Sequence, residues 1–109
     1  MKEIETITRQ LRESNEARDW AQYHNGKDLA LALSIEASEL NAAFLWKAPE
    51  QVPVEKIREE LADVFLYAFI LADKYGLDVR EICEEKIRKN GEKYPVDRAK
   101  GNCKKYNEL

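Results

Sequence analysis

Apolar residues recur along the chain at spacings of three and four, the period of a helix that buries one face. Four segments carry this pattern, and they predict helices at about residues 2–18, 28–46, 54–75 and 79–93. Gly76 is placed to end the third helix in a left-handed conformation, and Asp78 with Glu81 forms a capping box for the fourth. No strand pattern or repeat is visible. We therefore expect an all-α fold, a four-helix bundle followed by an irregular tail at residues 94–109.

The length of 109 residues predicts a single helical domain over residues 1–109. The longest apolar run, residues 61–72, is too short to span a bilayer and contains Asp63. The amino terminus has no apolar signal core, and Cys83 and Cys103 form no metal-binding pattern. These features predict a cytoplasmic protein with free thiols and no membrane partner.

Charge is divided unevenly along the chain. Residues 80–105 hold nine basic and five acidic side chains and carry +4, although the whole chain carries −3. A uniformly basic nucleic-acid binder would not show this division, so no nucleic-acid partner is expected. An acidic centre beside a basic segment suits a metal ion with an anionic small molecule, and equally suits ordinary solvated helix faces.

Two helices carry carboxylates within their apolar stripes. Glu36 interrupts one stripe of the second helix and Glu39 lies in the neighbouring one. Glu60 interrupts the corresponding stripe of the third helix and Asp63 flanks it. An E-x-x-E pair on one helix can therefore face an E-x-x-D pair on the next.

Four converging carboxylates must be protonated, paired with basic side chains or bound to cations, because burying an ion costs several kcal/mol. The nearest basic residues, Lys47, Lys56 and Arg58, stand off the stripes. Oxygen ligands without His or Cys favour Mg²⁺, with Mn²⁺ as the alternative, and Mg²⁺ often shares its shell with substrate phosphates. Two other readings stay open: acids that reach solvent at the stripe edge, and an interhelix salt-bridge network. A di-iron site is excluded because it needs two Glu-x-x-His motifs.

The segments "RDWAQYH", "EASELNAAFLWK", "EELADVFLYAFILAD" and "KIRKNGEKYPVDRAKGNCKKYNEL" resemble the MazG-like all-α nucleotide pyrophosphohydrolases. They are most similar to the dCTP pyrophosphatase branch of that family. The resemblance runs from about Ala17 to the carboxyl terminus, and the E-x-x-E and E-x-x-D pairs are its most specific part. It implies a house-cleaning enzyme that cleaves a nucleoside triphosphate between the α and β phosphates, releasing the monophosphate and pyrophosphate.

The resemblance also implies roles for individual residues. The residues that match Mg²⁺ ligands are Glu36, Glu39, Glu60 and Asp63. Of these, Glu39, with Glu36, would also orient or deprotonate the attacking water. The positions that match triphosphate-binding residues are Lys86, Asn90, Lys93 and Tyr94. The residues that match a base and sugar pocket are Trp20, His24, Trp46 and Tyr67. Gly91 within the fourth helix and the short connector after the second helix depart from the family pattern.

Spacing agrees with part of this assignment. Lys86, Asn90 and Lys93 fall on one face of the fourth helix, although lysines are common near helix carboxyl termini in any case. Tryptophan and tyrosine at such positions also serve as ordinary core residues. The alternative to an enzyme is a non-catalytic helical module that binds a nucleotide or a partner.

The third helix is apolar nearly all round between Leu61 and Ala72. One small bundle cannot cover such a helix. The sequence therefore predicts self-association into a dimer or a dimer of dimers, with the third helix at the centre.

Overall fold

The computed structural model describes residues 2–109, and all of its regular structure is helical. The long helices are α1 (Lys2–Ala17), α2 (Gly26–Ala42), α3 (Val54–Lys74) and α4 (Val79–Lys93), followed by the short α5 (Val96–Ala99). Single 3₁₀ turns lie at Trp20–Tyr23, Pro49–Gln51 and Tyr106–Glu108. The all-α prediction is confirmed, with a fifth helix added. No helix within residues 2–109 is long and apolar enough to cross a membrane.

The chain forms two compact units. The first ends at Leu77 and contains α1, α2 and α3, while the second runs from Asp78 to Leu109 and contains α4 and the tail. In the first unit α3 packs against both α2 and α1. Its most buried large side chain is Leu29 of α2, which is 1% exposed.

The amino terminus of α2 lies two residues earlier than the apolar pattern predicts. Asn25 caps the helix: its Oδ1 accepts the Asp28 backbone N–H at 2.8 Å, and its Nδ2 donates to Asp28 Oδ2 at 2.8 Å. Asparagine is a strong N-cap residue because its side chain satisfies a free N–H of the first turn. The polar cap extends the helix beyond the apolar stripe.

The predicted end of α2 at Trp46 is also wrong. The helix ends at Ala42, and a series of turns follows in which Trp46 adopts φ 62°. A bulky residue in this left-handed region costs about 1 kcal/mol or more. The indole makes little contact that would offset this cost, because Trp46 is 94% exposed.

Helices α2 and α3 run antiparallel. The first residue of α2, Gly26, lies against Tyr75 at the carboxyl terminus of α3, while Glu36 lies near Glu60 and Asp63 in the first half of α3. A β-carbon on Gly26 would lie 1.8 Å from the Tyr75 hydroxyl oxygen. Glycine therefore leaves room for the Tyr75 side chain, which would have to move if this residue carried a β-carbon.

Helix α1 is joined to α3 by an ion pair. Arg12 donates from Nε to Asp73 Oδ2 at 3.0 Å and from Nη2 to Oδ1. Paired donors of this kind fix orientation because the planar guanidinium matches the carboxylate edge. The amphipathic α1 is thereby held in one register on α3.

The second unit contains more order than the predicted irregular tail. Asp78 caps α4 by accepting the Glu81 backbone N–H at 2.9 Å, as the capping pattern predicts. Pro95, with its fixed φ, then opens the short helix α5. The Tyr106 ring packs edge-on against Tyr94, with ring centroids 6.3 Å apart, and so holds the end of the chain near the end of α4.

We expect Gly26→Ala to destabilise the protein by about 1 kcal/mol, the lower end of the range for overpacking, because Tyr75 must leave its place. The measurement is the free energy of unfolding in urea. Combined with Tyr75→Ala, the same change should cost nothing further, since the clashing ring is gone.

Gly91→Ala is the matched control, since no atom lies within 4 Å of the added carbon and the glycine is inside α4. This variant should gain about 0.5–1 kcal/mol from helix propensity alone. Equal effects at positions 26 and 91 would contradict the proposed contact.

Candidate metal centre

Three of the four predicted carboxylates converge between α2 and α3. One oxygen from each of Glu36, Glu60 and Asp63 lies within 4.8 Å of the other two. The antiparallel packing of α2 on α3 produces this arrangement, because the middle of α2 then meets the first half of α3. The i,i+3 spacing of Glu60 and Asp63 sets both on the same side of α3.

Two oxygens of these carboxylates are shielded from solvent and have no hydrogen-bond partner within residues 2–109. Glu36 Oε2 and Glu60 Oε2 are both buried, and neither has a hydrogen-bond donor within residues 2–109. Native proteins rarely leave buried polar atoms unsatisfied, and each such atom calls for an explanation such as a missing ion. The pair therefore indicates a position for a cation.

Electrostatics at the site disfavour the charged form of Glu36. Burial raises the pKa of the Glu36 carboxyl, and a hydrogen bond with the Glu39 side chain and the charges of Glu39, Asp63 and Glu60 raise it further. A raised pKa means that the folded protein holds a proton here more tightly than the unfolded chain. A divalent cation would reverse this preference, since it favours the ionised carboxylate.

Glu39 lies outside the set of three converging oxygens. Its side chain is exposed, although it is close enough to Glu36 to raise the pKa of that carboxyl. The i,i+3 spacing sets Glu36 and Glu39 on neighbouring positions of α2, but only Glu36 has an oxygen within 4.8 Å of both Glu60 and Asp63. Glu39, like the exposed Asp63, therefore has lone pairs accessible to water.

Lys56 contributes a basic group that the sequence analysis placed away from the acidic pairs. Its Nζ lies 2.9 Å from Glu60 Oε1, one helical turn along α3. The i,i+4 spacing of the two residues is visible in the sequence and could have revealed the pair. Of the four acids, Glu60 alone forms an ion pair within residues 2–109, so these acids do not form an interhelix salt-bridge network.

The four residues predicted to line the base and sugar pocket all lie in the first unit and differ in their exposure to solvent. Tyr67 on α3 and His24 before α2 are half-buried. Trp20, in the 3₁₀ turn, is half exposed, with the Arg18 guanidinium 5.6 Å from its ring centroid. Trp46 projects into solvent from its left-handed position. Neither tryptophan is a core residue, so packing in the core of the protomer does not explain why tryptophan occupies these two positions.

The basic residues of α4 divide into two groups. Three of them form ion pairs one turn away along the helix, Arg80 with Glu84, Arg88 with Glu92 and Lys89 with Glu85. The other two, Lys86 and Lys93, have no acidic partner within residues 2–109. These two are the lysines that the sequence analysis assigned to phosphate binding.

Tyr106 contacts two residues of this predicted phosphate-binding group. The Lys93 ammonium lies 5.0 Å from the Tyr106 ring centroid, and Tyr94 packs on the edge of the same ring. The tail has no apolar period, so its contacts with Lys93 and Tyr94 could not be predicted from periodicity. The Lys-Tyr pair at 105–106 was its only visible signal.

Comparison with known proteins places the chain in a family. A model of the MazG-like family matches residues 31–109, which include all four acids and the whole of α4. The chain belongs to the MazG-like family. The predicted resemblance is therefore confirmed over most of its length.

Individual relatives agree with the family assignment. The chain is 34% identical over 114 aligned residues to dCTP pyrophosphatase 1 of Mus musculus, covering 97% of this chain and 67% of the relative. Identity and coverage are the same for dCTP pyrophosphatase 1 of Homo sapiens. A crystal structure of a pyrophosphatase from Archaeoglobus fulgidus superimposes with a TM-score of 0.79 at 33% identity, covering 85% of this chain and 93% of that one.

The donor set of this MazG-like chain fits a hard divalent cation. Its three converging ligand atoms are all carboxylate oxygens. In an octahedral Mg²⁺ shell neighbouring oxygens lie about 3 Å apart and opposite ones about 4.2 Å, so oxygens within 4.8 Å of one another would draw together around the ion. Glu36, Glu60 and Asp63 could hold such an ion, with room left for water and substrate oxygens.

We expect Glu36→Gln to raise the unfolding temperature of the metal-free protein, because it removes the charge that burial and three neighbouring acids disfavour. The gain should depend on pH. Since the pKa of Glu36 is raised on folding, its stabilising contribution is complete below the unfolded pKa and is lost as pH rises through the folded pKa.

The variant should therefore match the wild type at low pH and exceed it at neutral pH, as measured by thermal melts in EDTA. Asp28→Asn controls for removal of a carboxylate on the same helix, at a site where the acid forms part of the N-cap. A Glu36→Gln variant less stable than the wild type at neutral pH would contradict this account.

Proposed function

We propose that the chain is a Mg²⁺-dependent nucleoside triphosphate pyrophosphohydrolase with dCTP or a modified dCTP as substrate. It would cleave between the α and β phosphates and release a monophosphate and pyrophosphate. The convergence of Glu36, Glu60 and Asp63, with two buried and unpaired oxygens, carries the proposal. Membership of the MazG-like family, and relatives named dCTP pyrophosphatase 1, support the reaction and the substrate.

The four acids have separable roles in this proposal. When bound, Mg²⁺ offsets the negative charge that develops on the phosphate oxygens. Glu36, Glu60 and Asp63 supply the oxygens that hold it, with Glu39 completing the predicted set. Glu39 accepts a hydrogen bond from the attacking water and takes its proton, which suits its exposure. Glu36, which lies close enough to Glu39 for that side chain to raise its pKa, assists Glu39 in orienting the water.

We assign the triphosphate to the basic face of α4. Lys86 and Lys93 lie at spacings that put them on one face with Asn90, and neither lysine is neutralised by a neighbouring acid within residues 2–109. Free ammonium groups are the donors that a polyphosphate requires. Tyr94, with the Tyr106 ring beside it, would add a hydroxyl donor at the end of the row.

Base recognition is assigned to Trp20, His24, Trp46 and Tyr67. Trp46 is the best supported of these, because its strained backbone and full exposure have no structural reason in the free protein. Strained residues that lack such a reason are concentrated at ligand sites, and an exposed indole is a stacking surface for a base. His24 would act as a polar contact rather than as a base.

The chain also retains apolar surface that a second copy would cover. Leu61 and Phe65 on α3 are exposed one turn apart, as are Leu31 and Ile35 on α2. Phe65 is 52% exposed and stacks with Phe69, with ring centroids 6.0 Å apart. We infer that four-helix protomers form a dimer or a dimer of dimers through α3.

The exposed free thiols of Cys83 and Cys103 suit the reducing cytoplasm, which we propose as the compartment.

We expect the protein to sediment at a multiple of the 12.7 kDa chain mass at micromolar concentration. Phe65→Glu should shift it toward the monomer, because a charge cannot be buried unpaired at such a contact. Val54→Glu is the control, since it adds the same charge in the first turn of α3, where the helix dipole favours it. A monomeric wild type would contradict self-association.

The proposed reaction is tested by incubating the protein with each of the four dNTPs and Mg²⁺ and identifying the products. We expect pyrophosphate and the monophosphate, most rapidly from dCTP. Glu39→Gln should reduce the turnover number by about 10²-fold or more, since it removes the proton acceptor at nearly constant shape.

Glu50→Gln, in the 3₁₀ turn after α2, serves as the control for charge removal and should leave turnover unchanged. Release of single phosphates would contradict the assigned bond. Tight nucleotide binding without product over hours would instead favour the non-catalytic binding module.

A further inference from the structure

The Lys56–Glu60 pair differs from the other ion pairs of the chain in the burial of its acid. The Glu60 side chain is 12% exposed, whereas the carboxylates of the other pairs within residues 2–109 are 32–83% exposed. Exposed pairs contribute little to stability because water solvates both ions well. A carboxylate that has lost most of its water depends more strongly on its partner. Lys56 therefore matters to the acidic site more than an ordinary surface lysine.

Lys56 also lies in the field of the other acids. Its pKa is raised, first by the hydrogen bond to Glu60 and the charge of Glu60, and then by the charges of Glu59 and Glu39. The ammonium occupies only one oxygen of Glu60, since Oε2 is left without a donor. One oxygen of Glu60 is thus paired within the protein and the other is not, while the carboxylate as a whole belongs to the group formed with Glu36 and Asp63.

We propose that Lys56 is a built-in counter-cation of the acidic site, which stabilises the metal-free protein and lowers the affinity of the site for divalent metal. A +1 charge beside Glu60 repels an incoming metal ion and competes with it for the carboxylate. This inference rests on the proposed function, because it takes the acidic cluster as the metal centre. It assigns to Lys56 a positioning and tuning role, not contact with the reacting atoms.

Arg58 provides a matched comparison two residues along the same helix. It carries the same charge and pairs with Glu55 at 3.7 Å, but both side chains are largely exposed, at 78% and 83%. Neither member belongs to the converging acids. Replacing Arg58 by methionine therefore removes one positive charge from α3 without removing a partner of the site.

The test measures binding of Mn²⁺ and Mg²⁺ alone, without nucleotide, by isothermal titration calorimetry of the wild type, Lys56→Met and Arg58→Met. Methionine keeps the apolar stem of lysine and removes its charge. We expect Lys56→Met to bind the ion about two- to fivefold more tightly, the range that corresponds to one partly exposed ion pair. Arg58→Met and the charge-conserving Lys56→Arg should keep the wild-type affinity.

Thermal melts supply a second measurement that needs no bound ion. In EDTA, Lys56→Met should unfold at a lower temperature than Arg58→Met. Saturating Mn²⁺ should raise the unfolding temperature of Lys56→Met by more than it raises the unfolding temperature of the wild type. If the wild type binds metal and Lys56→Met binds it equally or more weakly, the proposed role of Lys56 is wrong and the proposed metal centre is unaffected. A wild type that binds neither ion would overturn both.

Discussion

The packing of α2 on α3 brings together carboxylate groups whose oxygens carry mutually repelling negative charge, which a cation would offset. Two of these oxygens, Glu36 Oε2 and Glu60 Oε2, are removed from water and from every donor within residues 2–109. A core position filled by leucine would stabilise the same helix pair at no electrostatic cost. The acids therefore make the metal-free fold less stable than it could be, which is the usual relation between a binding site and the scaffold that holds it.

The scaffold resists this repulsion through contacts on either side of the acids along α2 and α3. At one end Gly26 admits the Tyr75 ring, so that the start of α2 and the end of α3 come close together. Beyond the other end, Ala43 and Val52 of the connector are buried. Separation of the helices to relieve the crowding of the carboxylates would disturb these contacts. The strain is released instead by protonation, by Lys56 or by a bound cation.

Sequence periodicity predicted the four long helices and placed the acids in or beside apolar stripes, because both follow from helical spacing. It could not separate Glu39 from Glu36, since the direction of each side chain depends on how α2 is rotated against α3. The boundaries of α2 were missed for two local reasons: the cap is formed by polar Asn25, and the turn at Trp46 requires a conformation that tryptophan disfavours. The ordered tail escaped prediction because it is held by aromatic contacts rather than by an apolar stripe.

Charge pairing on α4 bears on the choice between an enzyme and an ordinary solvated helix. A solvated helix gains from pairing its bases with acids one turn away, and Arg80, Arg88 and Lys89 follow that rule. Within α4 no acid lies four residues from Lys86 or Lys93. Lys86 has Ile82 and Asn90 at those positions, and Lys93 has Lys89 before it, while Asp97 lies beyond the end of the helix. Lysines that the helix leaves without partners favour an external anion. Within the first unit the acids leave two buried carboxylate oxygens without a donor, and within the second the helix leaves two lysines without an acidic partner.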